Sequence, residues 1–394
     1  MEFSDRISTL QPSAIREILK VTQDPTVISF AAGNPSPLSF PAAEMAEIAG
    51  DIFKNNYAAA LQYGISEGYA PLRELAAARL RDKYATGTDD DDLIIVSGGQ
   101  QGIELAAKVF LNEGDTVISE VPSFVGALNA FRSYNINLVG VPMGEGGMDM
   151  DLLETELKRQ KNVKLLYVIP TFQNPSGSTM SLDRRKRLLE LAEQYNFLII
   201  EDSPYFELRY SGEYVPTIKS MDKNGRVIYV GSYSKILSPG IRVGLVLAQK
   251  EIIQKMVVAK QVSDVHTNLF FTMIVAEYLK RYDIDAHIAK ICALYTAKRD
   301  LMLSAIEREF DPRVRIYKPD GGIFLWCELP KGYDGVELCR LAGTYKVAAV
   351  PGVSFETDES RVSPGFRLNF SLPTDQQIET GIGFMGKAIK SYLK

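Results

Sequence analysis

Seven short apolar runs between Leu93 and Leu247 constrain the fold of this 394-residue chain more than any other feature of its sequence. Their apolar character is continuous rather than alternating, which is typical of strands that are buried on both faces of a sheet. Most of them are separated by segments of helix length, and this alternation predicts a mostly parallel, doubly wound α/β sheet that binds ligands at the carboxyl ends of its strands. The predicted strands are Leu93–Val96, Thr116–Ser119, Asn137–Val141, Lys164–Ile169, Phe197–Ile200, Val227–Val230 and Val243–Leu247.

The chain beyond these runs no longer follows the strand–helix alternation. A predicted helix from Val262 to about Leu279 and a long one from His287 to Glu309 lead to a second, smaller α+β domain, which closes with a helix from Asp375 to Tyr392. At the other end, the spacing of apolar residues predicts a helix from Pro12 to Thr22. The predicted organisation is an N-terminal segment that packs with the small domain (1–40), a large domain (41–285) and a small domain (286–394).

Composition excludes several classes of function. A formal charge of −5 argues against a nucleic-acid surface, and no apolar run is long enough to span a bilayer. The first ten residues show neither the basic nor the apolar part of a signal peptide. The three cysteines are odd in number and widely spaced, which favours the reducing cytoplasm. Only two histidines are present, which excludes a three-histidine zinc site. The chemistry must therefore rest on side chains other than imidazole, and we expect no metal site.

A single lysine stands in a polar turn between the last two predicted strands. Lys235 follows Ser232 and Ser234 and precedes Arg242 by seven residues. A lysine in this position can form a Schiff base with an aldehyde, while the two hydroxyls and the arginine can hold an anion. An aldehyde that carries a phosphate describes pyridoxal 5'-phosphate (PLP). An ordinary surface loop with one exposed lysine is the alternative, and this stretch alone leaves both open.

Other polar residues follow predicted strands or line glycine-rich turns. The Ser97–Gly102 turn leads from a strand into a helix and is a suitable seat for a phosphate, although it lacks the Walker lysine and the GxGxxG spacing of nucleotide sites. Asp202 ends a buried strand and could hold a pyridine nitrogen protonated, or simply cap a helix. Asn174 is either a site residue or a turn residue before Pro175. Gly33 lies in a loop that either approaches a ligand or merely connects two elements.

Taken together, these motifs resemble those of the class I/II aminotransferases, which are fold type I PLP-dependent transferases. The resemblance covers essentially the whole chain, in order and in spacing. Within the family, the segments Ser13–Lys20 and Ile28–Gly33 resemble the branch of 2-aminoadipate and kynurenine aminotransferases, and the aminotransferase-like domain of MocR-type regulators is similar too. The motifs that carry it are Gly98–Gly102, Asn174–Gly177, Asp202–Tyr205, Ser232–Gly244 and Phe366–Leu368.

The resemblance implies a role for each candidate residue. Lys235 would form the Schiff base and move the substrate proton, Asp202 would pair with the pyridine nitrogen, and Tyr205 would join Asn174 in hydrogen bonds to the ring oxygen. Burial and Arg242 would both favour the neutral amine of Lys235. The other implied cofactor contacts are Phe124 on the ring face, Gly99, Gln100, Ser232, Ser234 and Arg242 around the phosphate, and Tyr63 from a second subunit.

Substrate contacts are implied in the same way. Arg367 would bind the α-carboxylate bidentately, helped by Asn174 and Gly33, and Arg16 would meet a distal carboxylate. Two positions depart from the family pattern, since Phe124 often carries a tyrosine in relatives and Gly99 often carries a serine. Neither change touches Lys235 or Arg367, so we expect activity to survive. The Asn174–Pro175 peptide resembles the family's cis bond.

The implied function is an aminotransferase (EC 2.6.1.-) that works as a homodimer and moves an amino group from an L-amino acid to a 2-oxo acid. The amino donors would be acidic, such as glutamate or 2-aminoadipate, and aromatic or branched as well. A PLP-binding sensor of the regulator type is one alternative. We expect the enzyme instead, because the sequence starts almost directly at the aminotransferase-like segment, with no room for a helix-turn-helix and its linker. A PLP lyase or decarboxylase is another alternative, because it would use the same lysine.

Overall fold

The structure, a computed structural model, describes residues 2–8 and 24–394 of the chain. The predicted helix from Pro12 to Thr22, and Arg16 within it, lie outside these residues. The helices are α1 Asp5–Ser8, α2 Ala42–Asn55, α3 Tyr57–Ala60, α4 Ala70–Tyr84, α5 Gly99–Phe110, α6 Val125–Arg132, α7 Met150–Arg159, α8 Leu182–Tyr195, α9 Ile218–Met221, α10 Lys250–Gln261, α11 Leu269–Arg281, α12 Ile284–Glu309, α13 Gly335–Thr344 and α14 Asp375–Tyr392. The strands are β1 Ile28–Ser29, β2 Asp91–Val96, β3 Thr116–Val121, β4 Asn137–Gly144, β5 Gly147–Met148, β6 Val163–Val168, β7 Leu198–Asp202, β8 Val227–Ser232, β9 Gly244–Gln249, β10 Arg315–Tyr317, β11 Phe324–Glu328, β12 Val347–Ala348, β13 Val350–Pro351 and β14 Gly365–Asn369.

An eight-stranded sheet in the order β2-β9-β8-β7-β6-β3-β4-β5 forms the centre of the large domain. Strands β8, β7, β6, β3 and β4 are parallel to their neighbours in this series, whereas β9 is antiparallel to both β2 and β8. All seven predicted strands are present within a few residues, and most of their residues are buried. The prediction of a mostly parallel α/β sheet is therefore confirmed. Its parallel strands bring Val168, Asp202 and Ser232 to one edge, because each ends its own strand there.

Helix α5 lies directly on the sheet because a glycine faces it. A Cβ atom on Gly102 would come within 2.8 Å of the Val246 side chain and 3.1 Å of Val230. The absence of a side chain lets the helix approach the strands closely. Since the same helix begins at Gly99, this contact also sets where its N-terminus lies relative to the carboxyl ends of the parallel strands.

A second sheet with the strand order β10-β11-β14-β13 is antiparallel and lies in the C-terminal part of the chain. The N-terminal part joins the same region, because Ile28 pairs with Val347 in the two-stranded sheet of β1 and β12. The predicted division at 285/286 falls in the first turn of α12. We retain the three-part organisation as a prediction.

Two helix boundaries differ from those predicted. The helix expected from Val262 begins instead at Leu269, because the preceding residues form a turn in which Val265 has a left-handed φ of 67°. The Asn268 side chain then caps the new start by accepting the N–H of Phe271 at 3.1 Å. The long helix expected from His287 begins at Ile284, one residue after its own aspartate cap.

Within residues 2–8 and 24–394, none of the helices has the length and apolar character needed to cross a membrane.

We predict that Gly102→Ala destabilises the protein although alanine favours helices. The helix-propensity gain is about 0.5–1 kcal/mol, but overpacking against the sheet costs about 1–3 kcal/mol. The matched control is Gly50→Ala in α2, where a Cβ meets nothing within 4 Å, and it should stabilise by about 0.5–1 kcal/mol. Urea denaturation of both variants measures the difference. Equal stabilisation by the two substitutions would contradict the close approach of α5 to the sheet.

Candidate active site

A cavity of about 390 Å³ lies at the carboxyl edge of the parallel strands. Of the site residues proposed from the sequence, all those within residues 2–8 and 24–394 line it except Tyr63. These lining residues are Gly33, Gly99, Gln100, Phe124, Asn174, Asp202, Tyr205, Ser232, Ser234, Lys235, Arg242 and Arg367.

The Lys235 amine is held by a single backbone acceptor. Its Nζ donates to the carbonyl oxygen of Gly33 at 2.7 Å. Burial lowers the pKa of Lys235, the positive charges of Arg367 and Arg242 act in the same direction, and together they bring it from 10.5 to about 8. The effects of burial and of Arg242 on the pKa of Lys235 were predicted from the sequence. The effect of Arg367, which is larger than that of Arg242, was not predicted. A substantial fraction of the amine is therefore neutral near pH 8 and can act as a nucleophile or a base.

Asp202 is a buried carboxylate at the end of β7. Its Oδ2 accepts the hydroxyl hydrogen of Tyr167 at 2.7 Å. Burial raises the pKa of Asp202 to about 7, and the hydrogen bond from Tyr167 partly opposes this rise. No cation in the described part of the chain contributes to this pKa. A carboxylate in this state favours a ligand that brings a positive charge to it.

Arg367 is the opposite case, a buried cation on β14. Its Nη1 donates to Oδ1 of Asn174 at 2.8 Å and its Nη2 to the carbonyl oxygen of Ala31 at 2.7 Å. The guanidinium carbon lies 4.1 Å from the ring centroid of Phe324 and 4.9 Å from that of Phe355. Burial lowers the pKa of Arg367 to about 10.

No carboxylate among residues 2–8 and 24–394 pairs with Arg367, and its Nε is buried without a hydrogen-bond partner there. An unbalanced buried cation favours an anionic ligand, and a planar guanidinium suits a carboxylate.

Tyr205 lies close to these charged groups and is buried in the wall of the cavity. Burial raises the pKa of its phenol well above the ordinary value, while Arg367 and a hydrogen bond with Asn174 oppose the rise. The Lys235 Nζ lies 5.8 Å from the Tyr205 ring centroid. Tyr205 is therefore a neutral hydroxyl that can donate a hydrogen bond into the cavity.

The turn before α5 forms the polar end of the cavity. Gly98 has a left-handed φ of 85°, and a Cβ there would lie 2.4 Å from Nη2 of Arg242, so the turn requires glycine. Arg242 donates from the same atom to the carbonyl oxygen of Ser97 at 2.8 Å. The first N–H groups of α5, at Gly99 and Gln100, have no acceptor within the helix and suit an anion.

Hydroxyl and amide side chains complete this end of the cavity. Ser232 donates its hydroxyl to Oγ of Ser234 at 2.9 Å and accepts the Ser234 N–H at 3.1 Å. The Gln100 side chain donates to the carbonyl oxygen of Gly126 at 2.9 Å, and its backbone N–H in the first turn of α5 remains available to a ligand. Phe124, the residue before α6, forms one apolar wall.

Tyr63 lies outside the cavity of its own chain. It is 80% exposed, and its ring meets that of His266 edge-on with the centroids 5.8 Å apart. Arg16 is outside the described residues. The structure of a single chain therefore does not bring Tyr63 to the cavity.

Three contributors were not identified from the sequence. Tyr167 holds Asp202 from the neighbouring strand, and Phe324 lies under the guanidinium of Arg367. Gln173 joins two loops, because its amide donates to the carbonyl oxygen of Pro122 at 2.7 Å and accepts the N–H of Ser176 at 2.8 Å. The only sequence signal for a role of Tyr167 or Gln173 in the site was the position of a polar residue within or beside an apolar run. The Asn174–Pro175 peptide next to Gln173 is cis, as predicted.

A family model for aminotransferase class I and II matches residues 25–384. The chain belongs to the class I and II aminotransferases. It is 43% identical over 396 residues to aromatic-amino-acid aminotransferase 1 of Thermococcus litoralis, a match that covers 100% of this chain and 95% of the relative.

Two solved structures extend this similarity. Pyrococcus horikoshii kynurenine aminotransferase, crystallised in complex with PMP, KYN as substrates and KYA as products, has a TM-score of 0.96 at 41% identity, and the match covers 100% of this chain and 98% of that one. The α-aminoadipate aminotransferase of Thermus thermophilus, complexed with N-(5'-phosphopyridoxyl)-L-leucine, has a TM-score of 0.91 at 38% identity, covering 99% and 98%. The predicted family, the fold type I architecture and the enzyme class are confirmed. The protein is a PLP-dependent aminotransferase of the aromatic, aminoadipate and kynurenine branch.

Proposed function

We propose that the enzyme transfers the amino group of an L-amino acid to a 2-oxo acid such as 2-oxoglutarate, using PLP held by Lys235. One observation carries the proposal: three buried ionisable groups without a counter-ion in the described chain, Lys235, Asp202 and Arg367, face one cavity. An amino acid and a pyridine cofactor supply the charges that these groups lack.

The residues fit the cofactor at each of its polar positions. Asp202 would face the ring nitrogen, and Tyr205 with Asn174 would hydrogen-bond the ring oxygen. Phe124 would cover one face of the ring. The phosphate would lie at the polar end of the cavity, where its contacts would be Gly99, Gln100, Ser232, Ser234 and Arg242. When bound, PLP supplies an electron sink that stabilises negative charge at the substrate Cα.

The chain's own residues then direct the reaction. Arg367 would hold the α-carboxylate of the substrate, replacing or sharing its present contacts with Asn174 and Ala31. The amine of Lys235, whose pKa is lowered to about 8, would take the proton from the substrate Cα. Gly33 would lie beside Lys235, because its carbonyl oxygen accepts the hydrogen bond from that amine.

We predict that the purified protein is yellow and that borohydride fixes PLP to the peptide that contains Lys235. A panel of amino donors with 2-oxoglutarate as acceptor should show turnover, and Lys235→Ala should abolish it because the base at the substrate Cα is lost. Mass spectrometry and a coupled glutamate assay provide the two measurements. A regulator-type sensor would bind PLP without turnover, and a lyase or decarboxylase would consume the donor without forming glutamate; either outcome would contradict the proposal.

We further propose that the enzyme is a homodimer whose second subunit contributes Tyr63. Apolar side chains remain exposed around this residue, including Phe53 at 49% and Leu61 at 68%. They border the surface hollow that holds Tyr63 and His266. Clustered exposed apolar groups are typical of an interface.

Mixing Tyr63→Ala with Lys235→Ala tests this arrangement. Each variant alone should have little activity, whereas hybrid dimers should regain it, because one of their two sites combines an intact Tyr63 with an intact Lys235. Sedimentation analysis must first establish that subunits have exchanged. An absence of regained activity after exchange would place Tyr63 with the site of its own chain.

The substrate range is proposed from Arg16 and the relatives. The relatives are an aromatic-amino-acid, a kynurenine and an α-aminoadipate aminotransferase, the last complexed with a leucine derivative. We propose that glutamate and 2-aminoadipate are good donors, alongside aromatic or branched amino acids. Arg16 would meet the distal carboxylate of the acidic donors and move away for the others.

Arg16→Ala should then raise KM for glutamate and 2-aminoadipate while sparing leucine and phenylalanine. The loss of a charge-assisted contact to the distal carboxylate is worth roughly 1.5–3 kcal/mol, so kcat/KM should fall by about tenfold or more. Lys20→Ala, in the same N-terminal segment, is the control and should change neither group. If both groups of donors lose activity equally, Arg16 serves folding or packing; if neither loses activity, Arg16 plays no part in substrate choice.

We propose the cytoplasm as the location, because Cys292, Cys327 and Cys339 are all unpaired. The partners would be amino acids and 2-oxo acids, with no nucleic acid or membrane among them.

A further inference from the structure

A buried lysine lies behind the polar end of the cavity without lining it. Lys260, in the last turn of α10, has no exposed side-chain surface. Its Nζ donates to both carboxylate oxygens of Asp264, at 2.8 and 2.9 Å, and to Oε1 of Gln101 at 2.9 Å. Both partner residues, Asp264 and Gln101, also form hydrogen bonds with Ser97 in the turn before α5.

Gln101 carries the connection to the backbone of that turn. Its Oε1 also accepts the N–H of Ser97 at 2.7 Å, and its Nε2 donates to Oδ2 of Asp264 at 2.7 Å. The Ser97 hydroxyl donates to the same Asp264 oxygen at 3.1 Å. Lys260, Asp264 and Gln101 therefore form one closed group of hydrogen bonds with Ser97.

Ser97 links this group to the residues that would hold the phosphate. It directly precedes Gly98, and its carbonyl oxygen accepts the hydrogen bond from Nη2 of Arg242. Both backbone polar groups of Ser97 are thus occupied, the N–H by Gln101 and the carbonyl by Arg242. A displacement of Gln101 would move the start of α5 and the guanidinium of Arg242 together.

Besides its hydrogen bonds, Lys260 supplies a positive charge that balances the carboxylate of Asp264. Asp264 without a cation would place an unbalanced carboxylate beside Ser97, only two hydrogen bonds from Arg242. A carboxylate there would compete for Arg242 and repel a phosphate dianion. Lys260 neutralises Asp264 and leaves the charge of Arg242 for the ligand.

Stability alone is a weak reason for a charged lysine at this position. Burial of its ammonium costs free energy, and apolar residues often replace buried ion pairs without loss of stability. We infer that Lys260 is a positioning residue for the cofactor phosphate: with Asp264 and Gln101 it fixes the turn at Ser97 and keeps Arg242 available to the anion. The inference rests on the proposed function, in which the phosphate of PLP binds at this turn.

Pyridoxal, which has the same aldehyde ring without the phosphate, separates this role from a general effect on the fold. The full chain, freed of cofactor, is titrated with PLP and with pyridoxal, and each Kd is read from absorbance. Lys260→Met should weaken PLP binding by about tenfold or more, the size of loss seen when outer-shell hydrogen-bond partners of metal ligands are removed. Pyridoxal binding should change by less than about twofold, because the ring contacts share no partner with Lys260 and stay intact.

Three further variants sharpen the test. Lys260→Met combined with Asp264→Asn should recover part of the PLP affinity, since the unbalanced carboxylate is gone. Gln101→Met retains the Lys260–Asp264 pair and should also lose PLP affinity selectively. Lys158→Met, which removes an exposed helical ion pair with Glu154 on α7, should leave both Kd values unchanged.

The outcomes distinguish the inference from the function on which it rests. If the unmodified chain binds pyridoxal as tightly as PLP, the phosphate seat is wrong, and the inference falls with it. If the unmodified chain prefers PLP but Lys260→Met and Gln101→Met lose affinity for both ligands equally, or for neither, Lys260 has only a structural role and the inference is wrong. Should Lys260→Met fail to fold, the selectivity of Gln101→Met decides.

Discussion

Burial of charged groups that have no counter-ion is the physical constraint on which the rest of the site depends. Asp202 and Arg367 are surrounded by protein, but neither has an oppositely charged partner in the described chain. Such burial costs stability, and the cost depends on pH. The pKa of Lys235 falls from 10.5 to about 8, so its destabilising effect is fully present below pH 8 and is relieved as the pH rises toward 10.5. A ligand that supplies the missing charges recovers this free energy as binding.

The fold keeps these charges near one another without letting them neutralise one another. Asp202 ends a strand of the large sheet, Lys235 follows the neighbouring strand, and Arg367 comes from the antiparallel sheet of the small domain. Arg367 reaches across to Asn174, and the Lys235 amine reaches to Gly33. Residues associated with both sheets therefore line the cavity, and its geometry depends on the positions of both sheets.

Secondary-structure elements that have a clear local pattern of apolar residues were predicted correctly from the sequence. The continuous apolar runs identified the strands of the large sheet, and the closing helix has the predicted bounds of Asp375–Tyr392. The predicted start of α11 was wrong, because apolar residues before it suggested a helix. The turn that is found there, with its left-handed Val265, is flanked by long-range hydrogen bonds of Asp264 and Thr267. Tyr167 and Arg367 show a different limit. Their effects on Asp202 and Lys235 act between residues 35 and 132 positions apart, a proximity that only the folded chain creates.

Burial beside Arg367 makes Lys235 a weakly basic amine. Trace labelling of the cofactor-free protein with acetic anhydride across a pH series measures the pKa of this single lysine. The predicted midpoint lies near 8, and Arg367→Gln should move it upward because a neighbouring positive charge is removed. A midpoint close to the ordinary 10.5, or one that Arg367→Gln leaves unchanged, would contradict this account of the site.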